Sequence, residues 1–357
     1  MIQTPDPKTP TLSQVLNESY YPSLNGLRGV AIVLVVASHL NISGNVLING
    51  QLGVDLFFVL SGFLITTLCL KELNNTGSLS LKSFYARRSL RIFPVAYLYL
   101  IVLLVLNISF SLAIPGFQFA GAALYLMNFN YFRAHNFTWL VAHFWSLSVE
   151  EQFYVIFPFL LKINRRFFFI AIAFIVLGLP ILCSLQFFFK PLNQGIFYAF
   201  THYLIKFQGI AIGCLFSVLT MRKVFDHQML IKTKTLGNLA AIILIVYLKF
   251  DDFYSIKAVF INGIISFLIG YLIISNLNSS SNVIYKILNF KPLAFIGIIS
   301  YSIYIWQQIF TSSNPNLSKY VISYPYNLIW IAIVPCLSYF FYERYFLKLK
   351  RKLKKIN

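Results

Sequence analysis

Eleven apolar runs follow one another through almost the whole chain, near residues 27–45, 52–70, 92–113, 117–132, 145–163, 167–189, 199–221, 235–250, 255–276, 293–311 and 323–347. A bilayer core about 30 Å thick is crossed by about 20 consecutive apolar residues in a helix. A soluble domain of 357 residues has no interior able to hide so many runs, in a chain that is 58% hydrophobic, 11% charged and of mean hydropathy +0.73. The fold class read from this is all-α: a polytopic membrane protein in which residues 25–347 form one membrane domain. A polar N-terminal segment, 1–24, precedes that domain and a basic tail, 348–357, follows it, with no polar block left for a second, soluble domain.

The fourth run, GFQFAGAALYLMNFNYF, is short for a span and rich in Asn, Gly and aromatic residues, which suits a re-entrant or interfacial segment. Charge points the same way. With this run not crossing and the N-terminus cytoplasmic, the cytoplasmic segments hold 23 of the 29 Lys and Arg residues, including all seven from Arg344 onward. If it crossed, every later connection would invert and that tail would face outward, against the positive-inside rule. About ten spans with both termini cytoplasmic are therefore expected. The net charge of +19 is on this reading a topological signal facing anionic lipid, and nucleic acid is excluded as a partner.

Four cysteines, Cys69, Cys183, Cys214 and Cys336, are scattered singly within apolar segments and read as small buried hydrophobes. Histidines 135, 143, 202 and 227 lack ligand spacing, so no metal site is expected. The first 24 residues are polar and contain proline, unlike a secretory signal, and the first apolar run is expected to be a retained helix.

Ionisable groups break this background in a pattern. In LRGVAIVLVVASHL, residues 27 to 40, Arg28 and His39 stand eleven residues apart. That is close to three turns, which puts both on one helical face about 16 Å apart along the axis. On the ten-span topology, His39 lies about 18 Å above the cytoplasmic helix end, Asp55 about 22 Å, Glu150 about 20 Å, Lys206 about 22 Å and Gln307 about 21 Å. Five polar groups from five helices thus share one layer, each costly alone and able to satisfy the others. Any one of them reads equally well as interhelical glue. A histidine, two carboxylates and a cation together favour a functional site. Histidine beside a carboxylate is the arrangement of a general base, the acid fixing the ring tautomer and stabilising imidazolium. Toward the cytoplasmic side, FYARRSLRIFP, residues 84 to 94, places Arg88 and Arg91 at i, i+3 on one face. Two guanidiniums so placed make a site for a phosphorylated ligand, although spacing alone favours contact with lipid headgroups.

Five stretches in order carry a resemblance. LNGLRGVAIVLVVASH holds an Arg-x10-His signature as Arg28 and His39. GVDLFFVLSGFLIT, residues 53 to 66, is an acidic, Phe-rich helix with a Ser-Gly-Phe step. Arg88 and Arg91 form an Arg-x-x-Arg pair before Pro94. HFWSLSVEEQFYVIFP, residues 143 to 158, is a Trp-Ser-Leu and Glu-Glu-x-Phe-Tyr block, and ISYSIYIWQQ, residues 299 to 308, is a late Ser-Tyr-x-x-Tyr segment. Together these resemble the acyltransferase 3 family of integral-membrane O-acyltransferases, which act mainly on bacterial carbohydrates. Two positions depart from the family pattern. Gln307 stands where a histidine usually follows the Trp, and Lys206 where an arginine is expected, keeping the charge but losing bidentate geometry. The soluble esterase-like domain fused to some members is expected to be absent.

The resemblance implies acyl-CoA, most often acetyl-CoA, as co-substrate, no bound cofactor, and a hydroxyl of a cell-surface or envelope carbohydrate, free or lipid-linked, as acceptor. It implies a multi-pass protein of the bacterial inner membrane. In the mechanism built on both lines, Arg88 and Arg91 hold the donor, and Arg28 guides it or anchors the helix foot by snorkelling. His39, oriented by Glu150 or Asp55, removes the proton from the acceptor hydroxyl or first takes the acyl group itself. Lys206, Gln307, Ser61, Trp145 and Tyr304 support this set within the membrane; Asp55 equally suits an ion pair with Lys206, and Ser61 with Gly62 suits close helix packing. The rival expectation is a proton-coupled transporter or flippase of envelope glycan precursors.

Overall fold

The computed structural model describes residues 21–40, 49–133, 138–189, 195–225, 227–250, 256–277 and 283–355. Most of the N-terminal segment 1–24, the end of the first apolar run and the last two residues of the tail lie outside the described residues, as does His135. Among the described residues every regular element is helical. Four stretches are long and apolar enough to cross a bilayer: Gly50–Thr76, Leu81–Phe110, Arg165–Gln186 and Gly195–Met221. A fifth, Lys291–Ile298 followed by Ser300–Phe310, is bent by 74° at its break. The chain is a helical membrane protein. The fourth apolar run holds only the eight-residue helix Gly116–Ala123 and the four-residue turn Asn130–Arg133. Eight residues rise about 12 Å, well short of the hydrocarbon core.

Proline sets one irregularity. The helix Arg165–Ala173 continues through a π-helical turn, Phe174–Gly178, into Leu179–Phe188, and the Leu179 N–H reaches back five residues to the Phe174 carbonyl. Pro180, next in the chain, has no N–H and its ring crowds the preceding turn, which the wider π turn relieves.

The described chain divides into two compact units. The first comprises the described residues within Met1–Val30, Asp55–Ser78 and Leu161–Gly297. In it, the helix Gln208–Met221 packs on Ile256–Ser275, which packs on His227–Phe250. The last two are joined by a buried amide and hydroxyl cluster: Ser275 Oγ donates to Asn238 Oδ1 at 2.6 Å and Asn238 Nδ2 to Asn276 Oδ1 at 3.3 Å. The helix Gly50–Thr76 meets Gln208–Met221 through a reciprocal pair of glycines. A Cβ on Gly62 would fall 1.9 Å from the Ile210 carbonyl oxygen, and one on Gly213 would fall 2.1 Å from that of Val59. One turn further on, Thr67 Oγ1 and Ser217 Oγ share a hydrogen bond of 2.8 Å. Because main chain opposes main chain here, Gly213→Val is expected to cost more than the ~1–3 kcal/mol of ordinary overpacking. Loss of monodisperse protein in size-exclusion chromatography would report it, and a folded Gly213→Val of wild-type thermal stability would contradict the crossing.

The second unit comprises Ala31–Val54, Leu79–Leu160 and Ile298–Asn357. Its longest helix, Leu81–Phe110, starts at Ser80, whose side chain accepts from the Ser83 N–H, and ends at Ser111 in the left-handed region, φ 50°. Ser300–Phe310 and the C-terminal helix Arg344–Lys355 both pack on it, and Ser300–Phe310 also packs on the short helix Trp139–Ala142 and on Tyr326–Leu337. Tyrosine hydroxyls fasten these helices to main chain: Tyr301 donates to the Ile92 carbonyl at 2.7 Å and Tyr99 to that of Leu140 at 2.5 Å.

Candidate active site

His39 is the last residue of the helix Pro22–His39. Its Nδ1 lies 3.0 Å from Gln307 Oε1, and its ring stands edge-on to Trp139 with centroids 4.8 Å apart. A relay of amides fixes what that hydrogen bond is. Gln308 Nε2 donates to the Trp139 backbone carbonyl at 2.8 Å, which only a donor can face. Gln308 Oε1 is then turned to accept from Gln307 Nε2, at 2.7 Å, and Gln307 Oε1 is turned to His39. An amide oxygen cannot donate, so His39 Nδ1 carries the proton in the neutral ring and Nε2 holds the lone pair. The glutamines are buried, Gln307 fully and Gln308 to 1% exposure, so neither has water as an alternative partner. The side chain hydrogen-bonded to His39 Nδ1 is the neutral Gln307, where the sequence suggested Glu150 or Asp55.

The segment running into the helix Phe144–Ile163 is tied to the same partner helix. Tyr304 OH and Ser146 Oγ are 2.5 Å apart, and both lie within reach of the His143 carbonyl, at 3.1 and 3.2 Å; with one proton each, one hydroxyl donates to that carbonyl and the other to its neighbour. Trp145 and Glu150 are half-buried on this helix, and Glu150 lies within electrostatic range of Tyr304 and Arg88.

Arg88 and Arg91 sit together on Leu81–Phe110, but not as free cations. Arg88 stacks over the Tyr154 ring at 3.9 Å, and its Nε lies 4.0 Å from Glu151 Oε1, with side chains 20% and 12% exposed. Arg91 is within electrostatic range of Arg88 and of Glu343, whose carboxylate accepts from Ser302 Oγ at 2.5 Å. Two guanidiniums thus face two carboxylates, and the ten N–H groups of the pair outnumber what those carboxylates can accept.

The remaining predicted residues belong to the first unit. Asp55 forms an ion pair with Lys249, Oδ2 to Nζ 3.0 Å, with both side chains largely buried. Arg28 is half-buried one residue before Gly29, Ser61 half-buried one residue before Gly62, and Lys206 half-buried in the 3-10 turn Ile205–Phe207. No group of three His, Cys, Asp or Glu able to hold a metal occurs among the described residues.

A family sequence profile described as an acyltransferase domain matches residues 21–343. The chain belongs to the acyltransferase 3 family. It is similar to a peptidoglycan O-acetyltransferase of Listeria monocytogenes, 30% identical over 327 residues, covering 84% of this chain and 51% of that protein. An O-acetyltransferase of Staphylococcus aureus is 30% identical over 321 residues, covering 83% of this chain and 51% of the relative. The chain therefore spans about half the length of the curated relatives it matches. No solved structure matches it. In this member of the acyltransferase 3 family, four side chains that touch the candidate residues escaped the reading of the sequence: Trp139 against His39, His143 beneath Tyr304, Glu151 beside Arg88 and Lys249 on Asp55. Only Glu151 carried a usable signal, since the Glu-Glu pair offered two acids and the one facing the arginine depends on helix rotation.

Proposed function

We propose that the chain is a membrane O-acyltransferase that moves an acyl group, acetyl in the first instance, from acyl-CoA to a hydroxyl of a cell-envelope carbohydrate. The observation that carries this reading is the amide relay ending on His39, which leaves a buried-side imidazole with its lone pair at Nε2, the state a general base requires. Family membership and the O-acetyltransferase names of the relatives support the reaction class. His39 removes the proton from the acceptor hydroxyl, or takes the acyl group and passes it on. The amide partner orients the ring as the Asn of a Cys-His-Asn constellation does, without the charge of a carboxylate. Arg88 and Arg91 hold the CoA phosphates at the cytoplasmic face of a ten-span bundle with both termini cytoplasmic, in a bacterial plasma membrane, and Arg28 guides the donor. Glu150, Asp55, Lys206, Ser61, Trp145 and Tyr304 stand as supporting groups.

The test is purified protein in nanodiscs with radiolabelled acetyl-CoA and an envelope glycan extract. Label is expected in the glycan and free thiol in solution. Gradient-driven glycan movement without label would instead indicate a transporter. Arg88→Lys separates the donor role from folding: it keeps a cation beside Glu151 but loses the fork. Its apparent KM for acetyl-CoA is expected to rise about tenfold, equivalent to ~1.4 kcal/mol of binding, with kcat little changed. An unchanged KM would remove Arg88 from the donor site.

A further inference from the structure

His143 is 3% exposed, and neither of its ring nitrogens hydrogen-bonds to any described residue. Packing alone holds the ring: it lies edge-on to Tyr99 at 5.2 Å, against Phe144 at 4.8 Å and edge-on to Tyr304 at 5.6 Å. Its main chain is pinned separately, through the carbonyl faced by the paired hydroxyls of Ser146 and Tyr304, one of which donates to it. An imidazole always has a hydrogen-bonding group at each nitrogen, and burying both unmet is costly enough that native proteins rarely do it without a ligand or reacting atom to meet them. His143 follows Trp139 by four residues, about one helical turn, so it faces as Trp139 does, and Trp139 packs on His39. It lies within electrostatic reach of His39.

We infer that His143 is a second catalytic histidine of the acyl-transfer site, whose ring N–H donates to the carbonyl oxygen of the donor acyl group and to the oxyanion that replaces it. This rests on the acyltransferase reading above. The two histidines divide the work by their partners. A general base is steered through its far nitrogen, and of these two only His39 is so steered, by Gln307. A ring immobilised by aromatic packing, with its nitrogens uncommitted, is instead a preorganised donor. In the step, His39 Nε2 takes the proton of the attacking hydroxyl. The new O–C bond forms as the carbonyl π pair moves onto oxygen, and the His143 N–H holds that oxyanion. Collapse re-forms the carbonyl and breaks the C–S bond. The leaving thiolate takes the proton back from His39, so ester and free thiol are the products.

The experiment compares wild type, His143→Gln and His143→Met in nanodiscs, with thermal stability and acetyl-CoA binding measured on each. His143→Met, which removes the donor, is expected to lower kcat about 10²-fold. Its KM for acetyl-CoA is expected to stay within about threefold, and His143→Gln, which retains an N–H, to recover part of the loss. Isotope-edited infrared spectroscopy of acetyl-CoA labelled at its carbonyl carbon supplies the readout that a structural role would not move. Bound to wild type, the carbonyl stretch is expected below that of the free donor, and in His143→Met it is expected to return toward it. A folded His143→Met with wild-type kcat overturns the inference, and so does an unshifted carbonyl in the wild type alone, whether or not the variants fold. If wild type binds acetyl-CoA but consumes no thioester with any glycan extract, the acyltransferase reading itself fails and the inference with it.

Discussion

His39→Ala is expected to leave a folded protein that binds acetyl-CoA and transfers nothing measurable from it. Loss of a general base alone removes about 10²–10⁴-fold of rate, and loss of a group that also carries the acyl removes more. The substitution deletes the ring packed on Trp139 and frees Gln307 Oε1, which keeps at most a share of the Thr311 hydroxyl at 3.4 Å, the nearer acceptor of that proton being the Gln307 backbone carbonyl at 3.1 Å. Little should unravel around it. Thioester consumption, glycan labelling and acetyl-CoA binding are measured on the same preparation. Binding retained with turnover lost places His39 in the chemistry, whereas transfer at the wild-type rate would leave the relay without a catalytic purpose.

Gln307→Leu is the sharper test, because it leaves His39 in place and removes only its instruction. With no acceptor at Nδ1 the ring is free to carry its proton at either nitrogen, and the rotamer loses its anchor. A fall of about 10²–10⁴-fold in kcat is expected, comparable to other orienting groups whose loss leaves the base intact. Gln308 Oε1, buried, also loses its donor, at a cost of about 1–3 kcal/mol in stability. Gln307→Glu separates the two effects. A carboxylate still accepts from His39 but opposes Gln308 Oε1, so this variant should keep more activity than Gln307→Leu while melting lower than wild type. Equal kcat in wild type and Gln307→Leu would show that His39 needs no orientation.

Much of this was legible in the sequence, for identifiable reasons. Helix is the answer lipid forces on long apolar runs, and the eight-residue helix at Gly116 follows from a run too short and too rich in Asn and Gly to span. His39 was legible as an ionisable group where such groups are expensive. Its partner was not. Gln307 lies 268 residues away, and an amide reads in sequence as a weakened histidine, although here its oxygen is held toward the ring. Asp55 was placed with His39 and Lys206 by depth, and depth does not record rotation about a helix axis; Lys249 is a cation that rotation brings to it. His143 was set aside because its spacing fits no metal site, a test blind to a histidine that works alone. The single run 293–311 hides a 74° bend, which apolar composition does not encode.

The glycine crossing of Gly50–Thr76 and Gln208–Met221 has a mechanical consequence. At Gly62 and Gly213 each helix accepts the carbonyl of the other in a notch one residue wide. A slide along either axis would carry each carbonyl out of its notch, toward the side-chain-bearing turns that flank the glycine. The pair is therefore keyed in both directions and behaves as a single beam. Any breathing that admits a donor or releases a product must bend or swing around it, since these two helices have no gear in which to slip.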